Sequence, residues 1–319
     1  MSTQSVILAA GKGTRLAPIT NSRSKGMLPI LGKPFLERII RGMLSSGLRN
    51  FILVVNPEDH EIREYFHKEF SLDVQIQFID QDRQLGTAHA LRLAAPHITG
   101  DFFLSACDSL VPEGEMNLLV STWSQNSGSD GLLSLERIPQ KDADKTGIVT
   151  LEGDKVSGIV EKPLPAEAPS NISSTPLYAF SSQILDYLPQ VPVSPRGEYE
   201  IQDAIQMMID EGQTMNGLFL KDRLTLTTAD DLLAINLDYL YAQAKSYQVG
   251  IENNQSHTIL EKPFYIEEGV EIGSNCQIGP GVYIEKNVRI GDDVQLENVV
   301  VLRNTTIANN TKLKDRVIS

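Results

Sequence analysis

Cysteine is scarce in this chain: Cys107 and Cys276 are its two cysteines in 319 residues, and neither belongs to a C-x-x-C pair. A disulfide scaffold and a zinc ribbon are both excluded, and a reduced, cytoplasmic setting is expected. Histidine is also sparse. His60 and His67 are seven residues apart and read as surface positions on one helix rather than as a zinc pair. No apolar run approaches the length that crosses a membrane, and the first one, Val6 to Ala10, breaks into glycine too early for a signal peptide. A formal charge of −13 and a pI near 4.9 argue against a nucleic acid or an anionic membrane as partner. What remains is a chain whose 41% apolar content can fill a large α/β core and an appendage.

Acid is missing where it matters most. From Met1 to Leu36 there is no Asp or Glu, while Lys12, Arg15, Arg23, Lys25 and Lys33 all fall in that stretch. The cations surround a glycine loop, Gly11-x-Gly13, that follows the strand-forming run V-I-L-A-A. Exposed backbone N–H groups beside concentrated positive charge are what a polyphosphate needs. The spacing fits neither the dinucleotide fingerprint, which wants a third glycine, nor the P-loop, which ends in Gly-Lys-Ser/Thr.

Between Ser5 and Ala106, short apolar runs alternate with helical patterns, which describes a parallel sheet covered on both faces. Ligands of such sheets bind beyond the carboxyl ends of the strands. The glycine loop after Ala10 and the Cys107-Asp108 pair after Ala106 both fall there. From Leu132 to Phe180 strands dominate, with a hairpin turning near Gly153-Asp154, and helices return at about 182–188, 200–211 and 229–244. Past a polar stretch, aliphatics recur every sixth residue from Ile266 through Ile272, Ile278, Ile284, Ile290, Leu296 and Leu302. A companion set runs from Val270 through Cys276, Val282, Val288, Val294 and Val300, and the phase slips by one after Leu302. The expected organisation is a doubly wound α/β domain with a mostly parallel sheet over 1–248, a linker over 249–262 and a repeat unit over 263–319.

The strings L-A-A-G-K-G-T-R-L and S-K-G-M-L-P-I resemble the signature of the sugar-1-phosphate nucleotidyltransferases, which make nucleotide sugars. The resemblance implies a Rossmann-like catalytic domain. The repeat is similar to the hexapeptide left-handed parallel β-helix, whose exposed last coil is expected to pack on another copy in a homo-oligomer. The implied reaction is attack by a sugar phosphate oxygen on the α-phosphorus of a nucleoside triphosphate. Its nucleophile is already anionic, so the protein has to screen repulsion, align the reactants and stabilise the leaving pyrophosphate.

On the positions that match, the resemblance makes Arg15 and Lys25 the catalytic cations. It places the nucleotide on Leu8, Ala10, Gly11, Gly13 and the segment Q-D-R-Q-L-G-T-A-H-A. There Gln81 would read a uracil or thymine edge, Gly86 would allow close approach, and Thr87 would cap the following helix. Gly147, Glu161, Lys162 and Ser174 would hold the sugar phosphate, and Asp108 would hold Mg²⁺. Since the repeat carries none of these residues, removing it from Pro263 onward is expected to alter assembly and leave triphosphate binding intact.

Two departures qualify the resemblance. Ser174-Thr175-Pro176 stands where relatives have Asn-x-Gly, and Thr225 stands where they have the second metal-binding carboxylate, with Asp222 and Asp230 out of register. The reading is therefore a nucleotidyltransferase joining a hexose-1-phosphate to UTP or dTTP. A regulatory homologue that binds without turnover is the rival. Acyl transfer by the repeat lacks a general base, because no histidine follows His257.

Overall fold

The computed structural model describes residues 3–126, 128–242, 247–248, 251–254 and 257–319. They form two compact units, one made of residues 1–11 with 38–224 and the other of residues 12–37 with 225–319. The division differs from the boundaries read from sequence, because the basic segment after Gly11 groups with the C-terminal part of the chain.

The first unit is built on a nine-stranded sheet. Its strands run in the order Gln75–Asp80, Asn50–Val55, Gln4–Leu8, Phe102–Ala106, Ile172–Phe180, Gly131–Arg137, Met215–Phe219, Lys155–Glu161, Gly147–Glu152. The first four are mutually parallel, with Leu8 level with Val54 on one side and Ala106 on the other. Phe51 to Val55 are all buried, as a strand covered on both faces requires. Beyond them the sheet is mixed rather than mostly parallel. Ile172–Phe180 runs antiparallel to both its neighbours, and the expected hairpin pairs Gly147–Glu152 with Lys155–Glu161 through Gly153 at φ 65°. A hairpin connection of two residues can only reverse direction, which is why the doubly wound pattern stops there. Helices Thr87–Ala94 and Ile201–Asp210 bury Ala88, Leu91, Ala204, Ile205 and Met208 against this sheet in one apolar core.

In the second unit the repeat stacks parallel strands. Phe264 pairs with Val282, Ile272 with Ile290 and Ile278 with Leu296, each eighteen residues on, or three hexads. Asn275, Asn287, Asp293, Asn304 and Asn310 take positive φ between the strands, a conformation that Asn and Asp tolerate best among residues with a side chain. The one-residue slip comes earlier than expected. Val282 pairs with Val299 and Leu296 with Leu313, so the shortening lies at Asn298, itself at φ 50°. Val299 and Val301 therefore enter the core, in place of the Val300 and Leu302 that strict periodicity selects. Val300 remains buried on the other side of the strand, where helix Ala229–Ala242 packs alongside Gln295–Val301 and Lys312–Ile318. Stacking also begins before Pro263: Ile251–Asn254 pairs with Val270–Ile272 and Ile259–Leu260 with Gln277–Ile278, so strands occupy the stretch read as a linker. Residues 249–250 and 255–256 of that stretch lie outside the described residues.

Candidate active site

Two strand ends organise the edge of the first unit where a nucleotide is expected. The Cys107 N–H donates to the Leu8 carbonyl at 3.0 Å, so Ala10-Gly11 and Asp108 leave the sheet at the same edge. Gln84, which the sequence reading passed over, donates its side-chain amide to the Ala10 carbonyl at 2.5 Å. Gln81 lies just past the end of a neighbouring strand and is buried, with its backbone N–H on the Val55 carbonyl. Its Nε2 donates to the Gly86 carbonyl at 3.3 Å and meets His89 Nδ1 at 3.0 Å. Burial first, and Arg92 second, push the His89 imidazole below its ordinary range, which keeps it neutral and able to accept that hydrogen. Both amide hydrogens of Gln81 then have acceptors. His89 carried no sequence signal of its own, since one helical histidine is usually only a packed one.

Gly86 does allow a close backbone approach, and Thr87 acts differently from expectation. A Cβ at Gly86, whose φ is +104°, would stand 2.4 Å from the Tyr199 carbonyl oxygen and 2.7 Å from its nitrogen. The glycine admits the chain's own backbone there, before any ligand. Thr87 is the first residue of its helix and makes no cap for it; its hydroxyl accepts from the Ile201 N–H at 3.0 Å and so caps the neighbouring helix. The segment crossing at Tyr199 brings that helix start within reach.

The hairpin and its neighbouring strand bring together the residues expected to hold a sugar phosphate. Gly147 lies opposite Glu161 on one side and Ser174 on the other. Helix Ile201–Asp210 adds Gln202, which sequence reasoning missed: a Cβ on Gly147 would sit 3.1 Å from both Glu161 Oε2 and Gln202 Cγ. Glu161 Oε2 and Gln202 Oε1 are buried without a hydrogen-bond partner. The other Glu161 oxygen has Lys162 Nζ at 3.2 Å and Arg196 at 3.5 Å, yet burial outweighs these cations and raises the carboxyl above its usual range. Ser174, in the position of the family's amide, is spent on the Tyr178 hydroxyl at 2.5 Å, and burial pushes that phenol well up. The side-chain amide that Ser174 lacks is present instead on Gln202, from a helix far along the chain.

The five basic residues divide in the second unit. Arg23 is buried and grips both oxygens of Glu285, at 3.0 and 2.8 Å, and Lys33 pairs with the buried Glu37 at 3.1 Å. Lys12 and Arg15 are exposed and Lys25 is half-buried, whereas the charges of Arg23 and Lys33 are matched by carboxylates. Gly13, at φ +62°, turns the loop tightly enough that its carbonyl accepts from the Thr20 hydroxyl at 2.9 Å, while a Cβ there would meet Lys25 Cβ at 3.3 Å. Glu285, which fastens Arg23, belongs to the repeat.

For a metal the donor set is thin. Among the described residues no group of three or more His, Cys, Asp or Glu could hold an ion. Asp108 is a single half-buried carboxylate at a strand end, and Thr225 ends the short strand Leu224–Thr225 as a neutral hydroxyl. One carboxylate suits Mg²⁺ when phosphate oxygens and water complete the octahedron, so the residues fit a metal brought with a nucleotide. Asp231 is engaged in accepting from the Thr227 and Thr228 N–H groups at the start of helix Ala229–Ala242.

Comparison with known proteins places the chain in a family. Residues 4–241 match the family model of nucleotidyl transferases, and residues 260–319 match that of the GMPPB C-terminal domain. The bifunctional protein GlmU of Methanococcus maripaludis strain C7 is 34% identical over 269 residues, covering 84% of this chain and 61% of that longer protein. The UTP–glucose-1-phosphate uridylyltransferase AglF of Haloferax volcanii is 33% identical over 216 residues, 67% of this chain and 87% of AglF. A crystal structure of UDP-glucose pyrophosphorylase complexed with UDP-glucose superposes with a TM-score of 0.69 at 20% identity, over 76% of this chain and all of that one, a likeness of fold. The chain belongs to the sugar-1-phosphate nucleotidyltransferase family.

Proposed function

We propose that the protein joins a hexose-1-phosphate to a pyrimidine nucleoside triphosphate, UTP or dTTP, forming a nucleotide sugar and releasing pyrophosphate. The observation that carries this reading is the pair of buried acceptors, Glu161 Oε2 and Gln202 Oε1, flanking the bare backbone of Gly147. Buried acceptors without donors cost stability unless a ligand supplies the hydrogens, and adjacent sugar hydroxyls supply them in the right number. Gln81, held by Gly86 and His89, would accept the imide hydrogen of the base. A carboxamide cannot sense the methyl that separates thymine from uracil, so both nucleotides stay within the reading.

In this mechanism Lys162, beside Glu161, draws the sugar phosphate toward the subsite. Arg15 and Lys25 neutralise the triphosphate and favour the charge that grows on the departing pyrophosphate. Asp108 is the residue that would hold Mg²⁺, and Leu8, Ala10, Gly11 and Gly13 would let the nucleotide approach the backbone. A bound Mg²⁺ supplies charge neutralisation across the phosphates. We read the stacked C-terminal strands as a left-handed parallel β-helix and as the assembly surface of a homo-oligomer. A cytoplasmic protein agrees with two buried, unbridged cysteines, and among the described residues no helix is long and apolar enough to cross a membrane.

Replacing Lys25 or Arg15 by Ala should lower turnover by roughly two to three orders of magnitude at saturating substrates, as loss of one transition-state donor does. Near wild-type turnover in Lys25→Ala would contradict the role given to the loop. A second reading, a homologue that binds a nucleotide sugar without making it, is favoured by Thr225 alone. It predicts triphosphate binding with no pyrophosphate release.

A further inference from the structure

Between Lys12 and Lys33 the basic segment has little structure of its own. It contains three single turns, Thr14–Leu16, Ile19–Asn21 and Lys25–Met27, each only three residues long. Turns that short do not hold a conformation unaided. Residues placed to meet phosphates nevertheless need fixing to within a fraction of an ångström, since a misplacement of about 1 Å costs on the order of a hundredfold in rate. Something outside the loop has to set its position.

The fastenings are specific and buried. Arg23, two residues before Lys25, is 4% exposed in its side chain and forks onto Glu285, itself 7% exposed. Glu285 cannot swing, because the oxygen that takes Arg23 Nη1 also accepts the Arg303 N–H at 2.8 Å. At the other end of the loop, Leu31 and Gly32 form a two-residue hairpin turn with φ of 43° and 74° between Pro29–Ile30 and Lys33–Pro34. Its Leu31 N–H donates to Asn236 Oδ1 at 2.9 Å, and its Gly32 N–H donates to the Tyr283 hydroxyl at 3.2 Å. The Tyr283 hydroxyl in turn donates to Glu267, one coil below Glu285 in the stacking register. A buried ion pair contributes little net stability compared with apolar residues of the same size, whereas its two-pronged geometry defines a position.

We propose that the first coils of the C-terminal repeat are a positioning device for the phosphate loop, with Arg23, Glu285 and Tyr283 as the positioning residues. The proposal rests on the functional reading above for its kinetic consequence, and on the geometry alone for its structural one. Truncating the repeat would then release the loop as well as disturb assembly.

The test pairs two readouts on the full-length protein. In Glu285→Gln and in Tyr283→Phe, amide hydrogen exchange over residues 13–31 should quicken at least about tenfold, with the sheet of the first unit unchanged. In the same variants kcat for pyrophosphate release should fall about tenfold or more, and KM for the sugar phosphate should stay within about twofold. Glu271→Gln, which removes an exposed ion pair with Arg289 elsewhere on the repeat, should change neither. If Glu285→Gln folds poorly, the double variant Arg23→Met/Glu285→Leu keeps the volume buried and should still show the faster loop exchange. Loop exchange unchanged in these variants, or quickened equally everywhere, would overturn the proposal. A wild type that releases no pyrophosphate would count against the functional reading instead, with the exchange measurement still deciding the positioning role.

Discussion

A single methyl group at Gly147 should separate sugar binding from everything else the protein does. In Gly147→Ala the new Cβ would lie 3.1 Å from Glu161 Oε2, 3.1 Å from Gln202 Cγ and 3.4 Å from Gln202 Nε2. Those separations are shorter than comfortable carbon contacts, so both side chains must give by a few tenths of an ångström, and both are free at one end to do so. The backbone is ordinary strand, paired with Glu161, and accepts alanine without strain. Fold stability should therefore change by no more than about 1 kcal/mol. The cost falls on the two acceptors. Losing the hydrogen bond to a charged oxygen is worth about 1.5–3 kcal/mol and the neutral one about 0.5–1.5 kcal/mol. Together these imply a drop of roughly thirtyfold to two-thousandfold in kcat/KM for the sugar phosphate. The KM for the triphosphate should stay within about twofold. Steady-state kinetics varying each substrate, beside urea unfolding, measures all three quantities. A sugar kcat/KM within about threefold of wild type, in a stably folded variant, would refute the assignment of this subsite.

Three further outcomes follow from the same geometry. Gly86→Ala forces a Cβ to 2.4 Å from a backbone oxygen at a φ of +104°, and should destabilise the fold by about 3 kcal/mol or more in chemical unfolding; a loss below about 1 kcal/mol would contradict the close approach of Tyr199. Glu161 has its folded carboxyl raised above the usual glutamate range, chiefly by burial, so its contribution to stability is present at low pH and is lost as pH climbs through the raised value. Glu161→Gln should therefore match wild type in unfolding midpoint near pH 4 and exceed it increasingly toward pH 7, and a gap that narrows with rising pH would reverse the argument. Thr225→Asp should tighten the Mg²⁺ requirement of turnover, read from rate against metal concentration; an unchanged metal dependence would show that Thr225 does not occupy the position of the second carboxylate.

Local chemistry was the part of the molecule that could be read in advance. The alternating first half of the sheet follows from apolar runs separated by helical patterns, whereas the Gly147–Glu161 pairing needs a bulge between Val156 and Gly158, since the two-residue turn alone would set Gly147 opposite Val160. What escaped reading came from distant chain segments. Gln202 reaches Gly147 from a helix more than fifty residues on, and Tyr199 explains Gly86, yet neither leaves a mark near the residue it serves. The net charge of a loop was likewise a poor guide to its potential, because Glu285 neutralises Arg23 from 262 residues away. Periodicity located the repeat but misjudged its slip: valines run unbroken from Val299 to Val301, and only the positive φ of Asn298 shows which of them point inward.

Pyrophosphate release measured with Mg²⁺, a panel of hexose-1-phosphates and each of ATP, GTP, CTP, UTP and dTTP tests the central claim most directly. The account predicts release with UTP or dTTP and at least one hexose-1-phosphate, with purine triphosphates giving background rates. A protein that binds a pyrimidine triphosphate yet releases no pyrophosphate with any sugar phosphate, in wild type and in Thr225→Asp alike, would contradict it.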